Sequence, residues 1–515
     1  MKLVVNIVFT LLAFTVSVNE VSSLNILGIF PYEGKSHFFL FEPYLRELAR
    51  RGHDVTVISH FPQKQAVKNY TDISLAGSVK ILEDALPIEK SYTALVNIIH
   101  FIIDKGTENC RQLLANKEVQ DLWKRKARFD VVLVEQFNSD CSLGLAHKFE
   151  APVVGLTSHT PMPWHYNRFG IPYNPSYVPF MFFGGGTKPT LYQRIEVTIF
   201  NAYFNALYTW FSQRVDQNTL AEYFNDVPPL EELGREIKLY LVYKNFALFG
   251  SSMAPQNVKE VGGYHVAAPK PLPNDLKKFI EESEKGVIYI SFGSMLKAAS
   301  IPREKLVAII AALAELPQRV LWKWEEPTLP GNPSNIYVSN WLPQNDILAH
   351  PKVLAFYSHC GMLGTTEAIH HGVPVVGMPI FGDQPSNAAA IQESGLGVEI
   401  QVNELTKDNL LKKLRTVLDP EFRRKVKLLS MAYHDRPVSA MDSAIFWTEF
   451  AARNSHLTFR SPAADLPLYL YYNLDIIAIF TVIILVLIKI VTLLFTTTKT
   501  QLNVEQQAIN KSKTS

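Results

Sequence analysis

Residues 24–59 read LNILGIFPYEGKSHFFLFEPYLRELARRGHDVTVIS, and the fold class follows from this segment. Leu24–Pro31 is an apolar run that ends at a proline, which predicts a buried strand. Apolar side chains then recur at helical spacing between Leu40 and Leu48, and Gly52 ends this predicted helix. His53–Ser59 is a second apolar strand, so the segment is predicted to form a βαβ unit, which is typical of a parallel sheet covered by helices.

The same alternation continues on both sides of a proline-rich linker, Pro269–Pro273. Before the linker, Phe129–Glu135 and Pro152–Leu156 are predicted strands around a helix near residues 140–149. After it, we predict strands at Gly286–Phe292, Arg319–Trp324, Val353–Ser358 and Val373–Gly377, and helices at 302–316 (with Ser300 as N-cap), at 362–371, at 384–394 and after Thr406. The sequence therefore predicts two doubly wound, Rossmann-like α/β domains, residues 24–265 and 266–460, which face a cleft at the carboxyl ends of their strands.

Residues 160–260 depart from this alternation. Between Trp164 and Phe183, eight of twenty residues are Trp, Tyr or Phe, and they are mixed with prolines. An amphipathic stretch then continues to about Leu220. This insertion is expected to line an apolar pocket or to touch a membrane surface, the alternative being ordinary core packing.

Composition excludes several classes of protein. The chain has 515 residues, of which 47% are hydrophobic and 19% charged, which is typical of a folded protein with at least two domains. The balance of 50 Lys and Arg against 48 Asp and Glu argues against a dedicated nucleic-acid binder. Three cysteines, Cys110, Cys141 and Cys360, exclude a disulfide scaffold and a Cys-rich zinc site, and they allow at most one disulfide.

Both ends of the chain are strongly apolar. Residues 1–23 have the basic start, apolar run and small residues of a cleaved signal peptide. Residues 476–495 contain one charge and are long enough to cross a bilayer, and lysines follow them in the tail 496–515, so the tail is predicted to be cytosolic. Lys511 and Lys513 resemble an endoplasmic-reticulum retrieval signal, and Asn69 begins a glycosylation sequon. We therefore expect a single-pass protein of the endoplasmic-reticulum membrane with a lumenal body.

The densest polar chemistry lies between Trp341 and Gln384. The strand 353–358 delivers His359 to a turn in which Gly361 and Gly364 keep the start of a helix open, and free N–H groups there suit a diphosphate. Glu367 on that helix is placed to accept hydrogen bonds from a ribose diol. Trp341 offers a flat ring on which a nucleobase can stack, and the amide of Gln344 can bind the polar edge of that base. Asp383 and Gln384 are candidates to bind sugar hydroxyls.

This ordered set resembles the UDP-glycosyltransferase family, the nucleotide-sugar transferases that conjugate lipophiles in detoxification. The residues that match are Ser358-His359-x-Gly361, Glu367, Pro374, Pro379 and Asp383-Gln384, together with the block WLPQNDILAHP (341–351), the turn Gly293-Ser294 and the passage Val261-Gly262-Gly263. The resemblance covers essentially the whole chain and implies a GT-B fold in which Ser294 donates to the diphosphate. Cys360 stands where the family usually has glycine, and its side chain either crowds the diphosphate turn or points away.

The resemblance also implies the chemistry. The family carries its catalytic histidine in the loop after the first strand, which assigns His37 as the general base, and takes an acidic partner from the end of strand 129–135. Asp140 and Glu135 both qualify, and we favour Asp140. The predicted reaction is a direct displacement that inverts the sugar. We expect neither metal nor cofactor, since the chain has no Asp-x-Asp pair and the UDP-sugar is a co-substrate.

The substrates are less strongly indicated. Vertebrate relatives that use UDP-glucuronate tend to have a basic residue just before the VGG passage, where this chain has Ser251–Met253, and EQFNSDC (135–141) resembles the insect branch, which mostly uses UDP-glucose. Glucose is therefore favoured over glucuronate, with a small lipophilic acceptor that reaches the site from the membrane. The alternatives are transfer to a membrane lipid or sterol, and a non-catalytic binding protein on the same fold. Assembly into homo- or hetero-oligomers is left open.

Overall fold

The computed structural model describes residues 23–82, 92–331 and 333–513. The predicted signal peptide, residues 1–23, lies outside the described residues except for Ser23. The described chain forms two units, one that ends at Arg460 and one that begins at Ser461.

The first unit opens with a seven-stranded parallel sheet whose strand order is β3-β2-β1-β4-β5-β6-β7. Its strands are β1 (Asn25–Phe30), β2 (Asp54–Ser59), β3 (Tyr70–Ser74), β4 (Val131–Glu135), β5 (Val153–Leu156), β6 (Leu239–Val242) and β7 (Val258–Glu260). Its helices are α1 (Lys35–Arg50), α2 (Tyr92–Ala115), α3 (Lys117–Lys124), α4 (Cys141–His147), α5 (Tyr166–Phe169), α6 (Leu191–Leu207), α7 (Gln213–Ala221), α8 (Leu230–Arg235) and α9 (Phe246–Phe249). A π-helical segment, Tyr208–Ser212, joins α6 to α7.

A six-stranded parallel sheet follows in the same unit, with strand order β10-β9-β8-β11-β12-β13. Its strands are β8 (Val287–Ser291), β9 (Arg319–Lys323), β10 (Ile336–Ser339), β11 (Val353–Ser358), β12 (Val375–Gly377) and β13 (Gly397–Glu399). Its helices are α10 (Asn274–Glu281), α11 (Arg303–Ala314), α12 (Gln344–Leu348), α13 (Met362–His371), α14 (Gln384–Ser394), α15 (Lys407–Leu418), α16 (Pro420–His434) and α17 (Ala440–Arg453). Two doubly wound sheets in sequence are the predicted GT-B arrangement.

Two local predictions need correction. The helix α1 begins at Lys35, and the His37 N–H donates to the Gly34 carbonyl at 3.1 Å, so His37 lies in the first turn of a helix rather than in a loop. Ser300 is not an N-cap, because a 3₁₀ turn, Ala298–Ser300, intervenes and α11 begins after Pro302, whose fixed φ suits a helix start. Thr406 does cap α15, since its side chain accepts from Asn409 N.

The last helix of this unit, α17, packs on the N-terminal sheet although it follows the C-terminal one. Its Ala444, Ile445 and Ala451 are buried in the core that surrounds β1 and α1. Thr448 forms a hydrogen bond with Tyr44 of α1, and Glu449 lies 3.2 Å from His53. The predicted C-terminal domain, residues 266–460, therefore ends in a helix that belongs to the other core.

One disulfide joins Cys110 in α2 to Cys141 at the start of α4, and Cys360 is a buried free thiol. This is the single disulfide that three cysteines allow. It ties α2 to the segment that directly follows the carboxyl end of β4.

The second unit contains α18 (Leu468–Tyr471) and α19 (Leu474–Ser512). Residues Leu474–Asn510 are long and apolar enough to cross a membrane, with a mean hydropathy of 3.0 over the most apolar window and no residue of that window buried. The predicted span, residues 476–495, lies inside this helix, which is compatible with a single-pass anchor. The cytosolic side of the tail and the role of Lys511 and Lys513 stay predictions.

Candidate functional site

A cavity of about 460 Å³ opens where the carboxyl ends of both sheets meet. Side chains from the ends of β1, β4 and β5 line one wall, and those that follow β8, β9, β11 and β12 line the other. The predicted site residues that line it are His37, Ser294, Trp341, Gln344, His359, Gly361, Gly364, Glu367, Asp383 and Gln384. A parallel sheet presents its strand ends along one edge, so residues far apart in sequence converge here.

A more open depression of about 680 Å³ lies on α15 and α16. Charged side chains dominate its lining, and it contains none of the predicted site residues. Within the described residues, no group of three or more His, Cys, Asp or Glu is arranged to hold a metal ion. The cavity between the sheets is therefore the candidate site.

His37 forms a pair with Glu135 on the N-terminal wall. Its Nδ1 lies 2.6 Å from Oε1 of Glu135, the last residue of β4. Ser158, just after β5, completes the cluster, since its Oγ lies 2.9 Å from His37 Nδ1 and 3.2 Å from Glu135 Oε1. A carboxylate at Nδ1 keeps the proton on that nitrogen, which leaves Nε2 of His37 as the acceptor. The Glu135 side chain is only 5% exposed, so the pair operates away from bulk water.

Aromatic rings surround this pair. Tyr32 and Phe137 have ring centroids 4.7 Å and 4.5 Å from that of His37, and His159 lies 5.8 Å away. Burial, with a smaller contribution from His37, lowers the pKa of His159 to about 3, so His159 is neutral at physiological pH. His159 therefore adds no positive charge beside His37.

Asp140 lies elsewhere, and the preference for it as the partner of His37 is wrong. Its two carboxylate oxygens accept hydrogen bonds from Arg168 at 2.8 Å and 2.6 Å, and Gln213 donates a third at 2.9 Å. Burial would raise the pKa of Asp140, but the Arg168 guanidinium outweighs it and holds that pKa below its usual range. Asp140 and Arg168 are both fully buried, so this is a structural ion pair.

His359 lies on the opposite wall between two glycines. A Cβ on Gly293 or on Gly361 would come within 2.6 Å or 2.5 Å of His359 Nε2, so both positions must lack a side chain for the ring to fit. Gly293 also has φ +81°, in the left-handed region that favours glycine. Burial, then the nearby Lys323, lowers the pKa of His359 to about 4. A neutral imidazole here donates a hydrogen bond to an anion but brings no charge.

The side chain of Cys360 points away from the diphosphate turn. Cys360 has φ +66°, the region where glycine is usual, yet its thiol is buried in the core of the C-terminal sheet and does not line the cavity. Gly377 provides the space, because a Cβ at that position would collide with the Cys360 sulfur. The departure from glycine therefore leaves the turn unobstructed.

Gln344 and Glu367 are already oriented towards each other. Gln344 Nε2 donates to Glu367 Oε2 at 2.6 Å, and Tyr289 donates to Gln344 Oε1 at 3.2 Å. His265 Nε2 lies 3.7 Å from the other Glu367 oxygen. Trp341 is 62% exposed and lines the cavity, with the Lys35 ammonium 5.3 Å from its ring centroid. These side chains are therefore preorganised beside an aromatic platform.

Asp383 immediately precedes α14 and Gln384 is its first residue, and local hydrogen bonds hold both side chains. Gln384 Oε1 accepts from the N–H groups of Ile380 and Phe381 at 2.9 Å and 3.1 Å, and Asp383 Oδ2 accepts from Asn387 at 2.7 Å. Burial raises the pKa of Asp383, which the Asn387 hydrogen bond and the field of His37 partly oppose.

The N-terminal wall is largely apolar. The side chains of Met162, Met181 and Phe182 line the cavity together with Tyr32 and Phe137. Lining an apolar pocket was one of the roles expected for the aromatic segment 164–183. The segment does line the cavity, mainly through its last residues. Trp164 lies behind the lining and stacks on Tyr208 at 4.9 Å.

Ser158, Tyr289 and Lys35 also line the cavity, and none of the three was predicted from the sequence. Ser158 and His159 lie two and three residues after the end of a predicted strand, and that carboxyl end is the sequence signal that points to them. Tyr289 lies within a strand, where nothing in the local pattern separates a cavity-facing tyrosine from a core one.

Comparisons with known proteins agree with this geometry. The family described as "UDP-glucoronosyl and UDP-glucosyl transferase" matches residues 26–514. UDP-glucosyltransferase 2 of Dactylopius coccus is 36% identical over 90% of this chain and 91% of its own length. UDP-glucuronosyltransferase 2B17 of Mus musculus is 32% identical over 86% and 87%.

Solved structures support the fold. The glycotransferase of kitacinnamycin superposes with a TM-score of 0.56 at 18% identity, over 82% of this chain and 98% of that one. A UDP-glucose:anthocyanidin 3-O-glucosyltransferase gives a TM-score of 0.55 at 16% identity, over 84% and 99%. At these identities the likeness concerns architecture alone.

Proposed function

Since the chain belongs to the UDP-glycosyltransferase family, we propose that it transfers a hexose from a UDP-sugar to a hydroxyl of a small lipophilic acceptor, with inversion and with His37 as the general base. The observation that carries this proposal is the 2.6 Å contact between buried Glu135 and His37, which lines the same cavity as the donor-side residues.

The reaction is a single displacement at the anomeric carbon. Nε2 of His37 takes the proton of the acceptor hydroxyl while its oxygen forms a bond to that carbon, and the bond to UDP breaks on the opposite face. Glu135 stabilises the imidazolium that forms, and Ser158 holds both partners in place. A positioned base of this kind contributes roughly 10²–10⁴-fold to the rate.

The departing UDP needs hydrogen-bond donors. In our proposal Ser294, His359 and N–H groups at the start of α13 supply them, and His359 acts as a neutral donor because its pKa is about 4. Trp341 stacks on the nucleobase of UDP, and Gln344 binds the polar edge of that nucleobase. Glu367 accepts hydrogen bonds from the ribose hydroxyls. Asp383 and Gln384 bind hydroxyls of the sugar. No metal ion and no cofactor takes part in the proposed scheme.

Glucose is the favoured sugar, and a compact lipophile is the favoured acceptor. Ser251–Met253 offers no basic residue before the VGG passage, and the relative from Dactylopius coccus is described as a UDP-glucosyltransferase. The apolar wall of Met162, Met181 and Phe182 suits an acceptor that partitions into membranes.

We further propose that the enzyme is a single-pass protein of the endoplasmic-reticulum membrane with its catalytic unit in the lumen. The apolar helix Leu474–Asn510 and the disulfide Cys110–Cys141 support this placement, because disulfides persist in oxidising compartments. Asn69, the proposed glycosylation site, precedes β3 at a half-buried turn with φ +59°, and its amide donates to the Ala49 carbonyl at 3.4 Å. Glycan attachment would replace one of its amide protons.

The test uses membranes from cells that express the full chain. A panel of phenols is offered with UDP-glucose and UDP-glucuronate side by side, and anomeric configuration is determined by NMR of the product. His37→Ala should abolish turnover and leave the affinity for UDP within about twofold of wild type. His456 is exposed, and His456→Ala is the control that should behave as wild type. Retained turnover in His37→Ala contradicts its role as base. Absence of transfer from both donors with intact UDP binding favours a non-catalytic binding protein.

A further inference from the structure

We propose that His159 binds a second hydroxyl of the acceptor, beside the hydroxyl that His37 deprotonates. The acceptor class that this favours is an aromatic diol with adjacent hydroxyls, of which catechol is the smallest example. The inference rests on the proposed function, because it takes His37 as the base and the apolar wall of the cavity as the acceptor site.

The position of His159 is the first argument. His159 lies three residues after the end of β5, and its side chain lines the cavity although the residue is only 5% exposed. Its ring centroid lies 5.8 Å from that of His37. Apolar side chains form much of the same wall: Ile102, Phe137, Met162, Met181 and Phe182. A buried polar ring in such surroundings needs hydrogen-bond partners of its own.

The hydrogen bonds of the His159 ring give the second argument. Nδ1 lies 2.5 Å from the carbonyl oxygen of Thr160, which can only accept, so the proton of the neutral ring is on Nδ1. Nε2 is buried and has no hydrogen-bond partner among the residues that the structure describes. Because burial lowers the pKa of His159 to about 3, Nε2 carries a lone pair and accepts. A buried acceptor without a donor is unfavourable, so this atom favours a ligand that brings an O–H or N–H group.

The spacing of the two histidines gives the third argument. In the proposed scheme Nε2 of His37 also accepts from the acceptor, so each ring offers one nitrogen. A hydrogen bond spans about 2.9 Å, and the ring centroids are 5.8 Å apart, so two hydroxyls that reach both rings are close neighbours on the ligand.

The two histidines differ in what they do to a hydroxyl. His37 has the carboxylate of Glu135 at Nδ1, which stabilises its imidazolium, whereas His159 has the neutral carbonyl of Thr160 there. His159 therefore holds the second hydroxyl without taking its proton. It is an acceptor-binding residue and not a second base.

The experiment compares catechol with 2-fluorophenol, in which fluorine replaces the second hydroxyl and cannot donate a hydrogen bond. The binding of each to the detergent-solubilised full chain, saturated with UDP, is measured by calorimetry, and transfer from UDP-glucose is measured separately. His159→Phe keeps an aromatic ring and removes both nitrogens. His456→Phe makes the same change at an exposed position and is the control. Thermal unfolding of each variant verifies that the fold is intact.

We expect wild type to bind catechol about tenfold more tightly than 2-fluorophenol, since one hydrogen bond to a buried acceptor has an effect of this order. In His159→Phe the preference should fall to within about twofold, through weaker binding of catechol alone. His456→Phe should keep the wild-type preference. The inference is overturned if wild type shows no preference, a result that needs no variant, or if His159→Phe retains it. It is also overturned if His159→Phe weakens both ligands by the same factor, because that result indicates a structural role.

Failure of the proposed function has a different signature. A wild-type chain that prefers catechol in binding but transfers no sugar to it contradicts the proposed function and leaves the binding comparison intact.

Discussion

Glu135→Gln is the substitution that most directly separates chemistry from structure in this site. The carboxylate of Glu135 lies 2.6 Å from His37 Nδ1, and the amide of glutamine has nearly the same shape but no charge. Glu135 is not among the side chains that line the cavity, so the variant should leave donor binding alone. What it removes is the negative charge that stabilises the imidazolium.

The size of the effect follows from that charge. Two unit charges whose centres are about 4 Å apart interact by roughly 4 kcal/mol at an effective dielectric constant of about 20. Each 1.4 kcal/mol is about a tenfold change in rate, so kcat should fall about 10³-fold. An amide that turns its NH₂ towards Nδ1 would also favour the wrong tautomer of His37, which takes the loss towards the upper limit of about 10⁴ for general-base catalysis.

The assay is steady-state transfer from UDP-glucose to a phenol that wild type accepts, alongside calorimetric UDP binding. Glu222→Gln, at an exposed position, is the matched control. Asp140→Asn is the structural contrast. It removes one of the two carboxylates that pair with buried Arg168, the other being Glu231 at 2.9 Å, so it should lower the free energy of unfolding by about 3 kcal/mol and spare kcat per folded molecule. If Glu135→Gln keeps more than a tenth of wild-type kcat, or if Asp140→Asn is the variant that loses kcat, the assignment of the partner is refuted.

Three further outcomes are expected. Cys360→Gly should change the free energy of unfolding by no more than about 1 kcal/mol, because the relief of backbone strain at φ +66° offsets the lost burial of the thiol. Its kcat/KM should stay within twofold of the wild-type value. A larger change in kcat/KM would show that the side chain affects the turn. Glu367→Gln should raise KM for UDP-glucose about tenfold and abolish the preference for uridine over 2′-deoxyuridine in binding experiments; a preserved preference argues against a ribose contact. Burial raises the pKa of Asp216 to about 7, above its unfolded value near 3.9, so the folded state holds a proton between these values and stability falls as pH rises through that window. Asp216→Asn does not titrate, so its free energy of unfolding should rise relative to wild type between pH 4 and pH 8, by on the order of 4 kcal/mol, in chemical denaturation; a difference that does not vary with pH would contradict this.

The sequence predicted both sheets and most of the donor wall because these features have local signatures. Buried parallel strands are short apolar runs, and the ends of β8 and β11 are marked by glycines beside His359 and Ser294. A strand end and a glycine turn constrain the backbone closely enough that spacing alone brings such residues together.

The partner of His37 could not be chosen in the same way. Glu135 and Asp140 are five residues apart across an irregular turn, and which of them faces the cleft depends on where Arg168 and Gln213 lie, both of which are distant in sequence. The return of α17 to the N-terminal core is likewise decided by contacts such as Thr448 with Tyr44, which no periodicity encodes. Tertiary partners, not local pattern, set these features.

Because of the disulfide, the number of free thiols in the protein indicates on which side of the membrane its body folded. Cys110 and Cys141 are joined beside the wall that holds Glu135, and Cys360 is the one remaining thiol of three in the whole sequence. A thiol-reactive label applied after denaturation without reductant thus adds one mass increment to a chain whose body matured in an oxidising lumen. It adds three to a chain whose body faced the reducing cytosol, where the same fold lacks the covalent link between α2 and the segment that follows β4.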